Sequence, residues 1–139
     1  MPQSIREVMT ADPVSLPATT TLTEAARRMK DESIGDVLVA DGDELRGVVT
    51  DRDIVVRAVA EGRDTTSTTL GDVCSADLVT LAPSNAVEDA VRLMSERAVR
   101  RLPVVENGRA IGIAAIGDLA IERDPHTALA DISAAAPNT

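Results

Sequence analysis

Phenylalanine, tyrosine and tryptophan are absent from all 139 residues, and with them go the stacking platforms that most single-strand and RNA readers use. Any planar ligand must then be gripped by aliphatic side chains. Cysteine and histidine occur once each, as Cys74 and His126. A single cysteine excludes an internal disulfide, and one cysteine with one histidine leaves little material for a nucleophilic triad or a metal site. Carboxylates are plentiful, but nothing pairs two of them as acid and base, so no enzymatic activity is expected. Basic residues are outnumbered, 14 Lys and Arg against 23 Asp and Glu, for a net charge of -9. Such a surface repels phosphate backbones, so neither nucleic acid nor an anionic membrane is an expected partner. No apolar run approaches a membrane span. Met1 to Thr10 has no charged-then-apolar leader, which makes a cytoplasmic location the expectation.

What is present is a duplication. Val8 to Ile54 lies over Val73 to Leu119 at a constant offset of 65 without a gap. Val8/Val73, Val39/Val104, Gly47/Gly112 and Asp53/Asp118 are among the identical pairs, and most such pairs are small or apolar, as a shared core requires. Two copies at this spacing read as a tandem pair of small domains rather than a solenoid. Each is short enough to bury little apolar surface alone. The halves are therefore expected to pack on each other about a pseudo-twofold axis, with two related clefts at the seam.

Periodicity predicts the same elements in both copies. Thr21 to Glu24 reads as a capping box ahead of a helix carrying Leu22, Ala25, Ala26 and Met29. Val37 to Ala40 and Leu45 to Thr50 form a hairpin around Asp41-Gly42-Asp43, and Asp51 to Glu61 a second helix with Ile54, Val55, Ala58 and Val59 on one face and Gly62 ending it. In the second copy, Asn85 and Glu88 are expected to cap a helix reaching about Arg97. Leu102 to Val105 and Ala110 to Ala115 then pair across the hairpin signal Asn107-Gly108. Extended segments Val14 to Leu16 and Val79 to Leu81 precede the long helices, making two βαββα repeats of an α/β fold. Ser4 to Met9 and Leu70 to Cys74 read as lead-in helical turns. The boundaries are drawn at 4–62, a connector 63–69, 70–124, and an alanine-rich tail 125–139.

Gly47-Val-Val-Thr50-Asp-Arg-Asp53 joins a strand to a helix N-terminus, where backbone N–H groups and the macrodipole favour an anion. Asp53 stands where a carboxylate can accept from both hydroxyls of a ribose, with Thr50 adding a further hydroxyl. Thr50 and Asp53 also have the spacing of a capping box, and both readings stand on spacing alone. The acidic turn at Asp41, Asp43 and Glu44 lacks the ligand spacing of a calcium loop and reads as a solvated hairpin turn. Cys74 aligns with Met9 at an apolar position and reads as a packed thiol, while Met29 and Met94 read as core or subunit-contact residues. His126 reads as a solvated side chain.

The duplicated unit with Gly-x-x-Thr-x-x-Asp before its last helix resembles the cystathionine-beta-synthase (CBS) domain, and two in tandem resemble a Bateman module. Val8-Met-Thr10, Leu45 to Ile54 and Arg100 to Val104 carry the resemblance, which runs from about Ser4 to Ile121 and is nearest to small stand-alone bacterial proteins, hypoxia- or stress-associated ones included. It implies regulatory sensing of an adenosyl compound such as AMP, ADP, ATP or S-adenosylmethionine in the inter-repeat clefts, none of them a required cofactor. Ribose would be held by Thr50 and Asp53 in one cleft and Asp118 in the other. The resemblance places base walls at Val14, Leu16, Val37, Val79, Thr80, Leu81 and Pro103, and Arg52, Arg100 and Arg101 are phosphate partners by their fixed donors. Ala115 stands where the second motif wants a hydroxyl, and Gly117 where the first has Arg52, so the clefts are expected to be unequal. The resemblance further implies a homodimer through the helix faces Leu22 to Met29 and Val87 to Met94, and a separate regulated protein. The competing readings are a ligand-free scaffold whose motif serves only as a cap, and a redox handle at Cys74.

Overall fold

The computed structural model of the chain describes residues 4–74 and 78–123, the last four as backbone only. The expected tail 125–139, with His126, lies outside the described residues. Helix α1 (Ile5–Val8) and strands β1 (Thr10–Ala11) and β2 (Ser15–Leu16) lead into α2 (Leu22–Glu32), β3 (Asp36–Asp41) and β4 (Glu44–Thr50). Helix α3 (Asp51–Ile54) continues as a π-helical stretch Val55–Val59. The second copy follows with α4 (Leu70–Val73), α5 (Val87–Arg97), β5 (Arg101–Glu106), β6 (Arg109–Ala115) and α6 (Ile116–Arg123). Mixed α/β architecture in two repeats is therefore what the chain adopts.

Local chemistry explains the boundaries. The Thr21 hydroxyl oxygen accepts from the Glu24 amide at 3.2 Å, starting α2. Ser33 and Ala98, aligned at the same offset, end α2 and α5 in the left-handed conformation at φ 54° and 53°. Asn107 and Gly108 both have positive φ, as the tight two-residue turn between β5 and β6 demands. A register shift recurs at Val39/Ala40 and Val104/Val105, next to the pairs Val39↔Gly47 and Val104↔Gly112, so even the irregularity is duplicated.

Two sequence expectations need correction at this level. Helix α5 is not capped by Asn85 and Glu88: its N-cap is Ala86, whose amide donates to the Asp89 carboxylate at 3.0 Å. Asn85 instead accepts from the Ala82 amide and closes the preceding turn. On the helix after β4, only Ile54 and Ala58 are buried, whereas Val55 and Val59 are 56% and 57% exposed. One residue per turn meets the core there, and its neighbour round the helix faces solvent.

The chain divides into two compact units, one of residues 14–78, the other joining the segment through Pro13 to the chain from Val79 onward. In the first, sheet β2-β3-β4 carries a core of Leu22, Ala25, Met29, Val37, Val39, Val49 and Ile54, completed by Leu70 and Val73 of α4. In the second, sheet β1-β6-β5 carries Leu81, Val87, Ala90, Met94, Leu102, Val104 and Ala114, completed by Ile5 of α1. Each lead-in thus serves the core of the other repeat. The Leu70 amide donates to the Thr20 carbonyl at 2.8 Å, and the Ile5 amide to the Asn85 carbonyl at 2.8 Å. The connector is stitched down as well, since Leu22 and Thr23 donate to the carbonyls of Thr68 and Thr65.

The helix faces offered as subunit contacts are used inside the units. Leu22, Ala25 and Met29, like Val87, Ala90 and Met94, are buried against their own sheets. The apolar stripe of each long helix is the face that an amphipathic helix turns to its core.

Candidate ligand-binding site

Strand β4 delivers Thr50 to the first turn of α3, and the Asp51 amide donates to the Gly35 carbonyl at 2.9 Å, pinning the junction to the turn before β3. Thr50 Oγ1 accepts from the Asp53 amide at 3.0 Å, and Asp53 Oδ2 accepts from the Thr50 amide at 2.8 Å. The capping box is complete. It uses one oxygen of Asp53; the other, Oδ1, lies 4.0 Å from Arg57 Nε in a pair that is partly exposed on both sides. Arg57 lies outside the site residues expected from the sequence, although its i, i+4 spacing from Asp53 is that of a helical ion pair. Its Nη1 also donates to the Val73 carbonyl at 2.9 Å.

Cys74 follows Val73 and packs partly buried against the core of this unit, as a thiol at an apolar position should. Burial pushes its pKa up, and Arg46, Asp53 and Arg57 are close enough to act on it through space. Asp41, in the acidic turn, pairs with Arg46 at 2.9 Å and accepts from the Ala18 amide; these bonds hold its carboxyl below the usual range.

The second repeat builds the same junction without the hydroxyl bond. The Ile116 amide donates to the Arg100 carbonyl at 2.9 Å, matching Asp51 and Gly35. The Ala115 amide donates to Asp118 Oδ2 at 3.0 Å, but Ala115 has no hydroxyl to return the bond. The strand before α5 is also reduced. Ser15 and Leu16 pair in parallel with Leu38 and Val39, whereas Leu81 makes an isolated bridge to Val104.

Of the expected site residues, Thr50, Arg52, Asp53, Val14, Leu16 and Val37 fall in the 14–78 unit, and Val79, Thr80, Leu81, Arg100, Arg101, Pro103 and Asp118 in the other. Val37 and Leu81 are core side chains, Pro103 is buried, and Val14, Leu16 and Val79 are partly buried at core margins. Thr80 and Arg52 are exposed. Arg100 borders an apolar groove of about 510 Å³ lined by Val91, Met94, Ile116 and Leu119, and Asp118 is not part of that lining. Among the described residues no three His, Cys, Asp or Glu side chains group as metal ligands would, and no helix is long and apolar enough to cross a membrane.

This pair of strand-to-helix junctions, each with Gly and Asp at matched positions, belongs to a known class. The CBS domain profile matches residues 5–59 and 70–125, and the chain is a member of the CBS domain family carrying two copies. Proteins with such pairs serve as regulatory or ligand-sensing modules, typically for adenosyl compounds.

The chain is 38% identical over 120 residues to the CBS domain-containing protein YhcV of Bacillus subtilis, covering 86% of this chain and 85% of that protein. It is 32% identical over 122 residues to Hypoxic response protein 1 of Mycobacterium tuberculosis, covering 87% and 85%. Among solved structures it resembles Hypoxic Response Protein I with two coordinated zinc ions, at 31% identity and TM-score 0.77 over 86% of this chain and 98% of that one. It also resembles a hexameric CBS-CP12 protein from bloom-forming cyanobacteria, at 26% identity and TM-score 0.81, covering 90% and 74%.

Proposed function

We propose that the chain is a sensor that binds an adenine nucleotide or related adenosyl compound through the Thr50–Asp53 junction, and less tightly through Asp118, and that binding alters its affinity for a separate protein. The observation that carries the reading is Asp53: with Oδ2 fixed by the Thr50 amide, the carboxylate is oriented by the backbone and presents Oδ1 as an acceptor for sugar hydroxyls. Arg52 is exposed one residue before it, at a helix start that favours a phosphate. Asp118 is held in the same way but without the hydroxyl partner, which supports unequal affinities. Regulation requires the ligand to bind two states of the protein differently. The proposal includes a cytoplasmic, non-enzymatic role in a stress response, as the name of the mycobacterial relative suggests, with no nucleic-acid or membrane partner.

Calorimetry of the full chain against AMP, ADP, ATP and S-adenosylmethionine tests it. Binding of at least one compound, weakened at least tenfold by Asp53→Ala, is the expected result. Absence of heat for all four, or an unaffected variant, removes the reading.

A second reading is a ligand-free scaffold, favoured by the completeness of the Thr50–Asp53 capping box. The two are separated by melting the protein with nucleotide: at 100 times Kd a sensor gains about 2.7 kcal/mol, and a scaffold nothing. We further propose a homodimer, since the related CBS-CP12 protein is hexameric and Val55, Val56 and Val59 leave an exposed apolar strip on the helix after β4. Val56→Asp is expected to lower the sedimentation mass to that of one chain.

A further inference from the structure

Arg57 has a role assigned by neither the ribose reading nor the capping box, although it faces the same Asp53 carboxylate. Its Nη1 donates to the Val73 carbonyl at 2.9 Å, and its Nε lies 4.0 Å from Asp53 Oδ1. A guanidinium is planar with donors on separate edges, so one side chain meets a carboxylate with one edge and a carbonyl with another. Val73 is buried and closes α4; the next residue is the half-buried Cys74. The backbone carrying Arg57 is the π-helical stretch Val55–Val59, a rare geometry concentrated at functional sites. The position 65 residues on is Glu122, so the sequence does not repeat the arginine.

We propose that Arg57 is a positioning residue coupling the Asp53 carboxylate to the end of α4. A ligand whose hydroxyls occupy Asp53 Oδ1 draws the carboxylate away from Arg57, loosens the grip on the Val73 carbonyl and opens the Cys74 thiol to solvent. The ligand step rests on the reading of Asp53 as a sugar anchor; the coupling between the two side chains does not.

The readout is the rate at which iodoacetamide alkylates the Cys74 thiolate in the full chain, followed by mass spectrometry and taken from the plateau of its pH profile, so that the through-space effect of Asp53 and Arg57 on the thiol's ionisation does not enter. Arg57→Gln and Asp53→Asn are the informative variants, the second retaining an oxygen for the Thr50 amide. Arg57→Gln is expected to raise the rate about fivefold, the effect of one lost hydrogen bond on a local opening equilibrium, and Asp53→Asn, which removes a partly exposed ion pair at 4.0 Å, to raise it by a smaller factor of about two. The double variant is expected to react no faster than Arg57→Gln alone, because both remove the same link. Unchanged rates, or increases that multiply in the double variant, overturn the coupling. Arg57→Lys keeps the cation and is expected to bring the rate back toward that of the unaltered protein; a rate equal to that of Arg57→Gln assigns the effect to packing and also overturns it. Saturating AMP is expected to raise the rate in the unaltered protein and leave Arg57→Gln unchanged. A fall, or an equal rise in both, overturns the ligand step. Calorimetry on the same samples distinguishes the two failures: if AMP, ADP, ATP and S-adenosylmethionine all give no heat the sugar-anchor reading fails, and the double-variant comparison still decides the coupling; if one of the others binds instead of AMP, it replaces AMP in the alkylation comparison.

Discussion

The Leu38 amide donates to the Val14 carbonyl at 2.8 Å, and its counterpart 65 residues on, Pro103, has no amide to give. That one atom accounts for the shorter parallel pairing in the second repeat. Val79 loses that donor, and among the described residues the extended segment is held to β5 at Leu81, whose amide donates to the Pro103 carbonyl at 2.9 Å and whose carbonyl accepts from Val105 at 2.8 Å. Proline in a sheet interior removes a ladder bond in this way.

Pro103→Ala restores the missing donor. The new amide at position 103 is expected to be protected in hydrogen exchange to the same degree as that of Leu38, through a bond to Val79. A rapidly exchanging amide there means the second repeat is shaped by something other than the proline. Global stability is expected to change by less than about 1 kcal/mol, because the gained bond is offset by greater freedom of the unfolded chain.

The two strand-to-helix junctions predict opposite effects from exchanging their residues. Thr50→Ala removes the oxygen that accepts from the Asp53 amide and is expected to cost about 1 kcal/mol in urea denaturation. Ala115→Thr supplies that oxygen beside Asp118 and is expected to add about 0.5 to 1 kcal/mol. If Ala115→Thr also tightens the weaker nucleotide site seen in calorimetry, the hydroxyl serves the ligand as well as the helix.

Gly112 is required by a close approach rather than by a turn. A Cβ there would stand 2.5 Å from Met9 Sδ and 2.9 Å from the Thr10 carbonyl oxygen, where β1 lies along β6. Gly112→Ala is expected to destabilise by about 1 to 3 kcal/mol, as overpacking does. Shortening the side chain with Met9→Ala relieves only part of this, because the Thr10 oxygen is backbone. An unchanged urea midpoint for Gly112→Ala means β1 is free to shift away.

The acid and alkaline limbs of the stability curve have separate origins. The Asp41 carboxyl is held below its ordinary value by hydrogen bonds from Arg46 and Ala18, so its contribution is present above about pH 3.8 and is lost as the pH falls through the lowered folded value. Arg46→Met is expected to flatten that limb. The Cys74 thiol is raised by burial above its ordinary value of 9.0, so the folded state keeps its proton longer than the unfolded one. Stability is expected to decline from near pH 9 as the pH rises toward the folded value, and Cys74→Ala to remove that decline. Urea midpoints measured across both ranges check the two claims.

Features set by neighbours in the chain were legible beforehand. Thr21 before an apolar periodic run, Asn107-Gly108 between two apolar runs and Gly62 after Ala58 each specify a local geometry, and the helix, the hairpin and the stop lie where these residues put them. The missing hydroxyl at Ala115 was equally visible and is seen as a missing bond. The cap of α5 lies one residue beyond the position that spacing suggests, because Glu88 and Asp89 are adjacent carboxylates and only the helix start decides which lies at its third position. Exposure of Val55 and Val59 was hidden for a related reason: apolar character does not say how wide the buried stripe is. The exchange of lead-ins could not be read at all. Val8 and Val73 align whichever core each joins, and only the folded chain shows α4 against Leu22 and α1 against Leu81. Arg57 was within reach as an i, i+4 partner of Asp53, but its bond to Val73 spans the connector and leaves no trace in spacing.

The exchange also sets the order in which a chain growing from its N-terminus can finish folding. The unit that runs from Val14 to Leu78 has everything it needs once α4 has emerged, whereas Thr10 must wait for Ile113 before β1 has a partner. Until then Ile5 has no pocket to fill. A single repeat cut out at the duplication boundary would inherit that predicament permanently, carrying a helix made for a sheet it no longer has and lacking the helix its own sheet was made for.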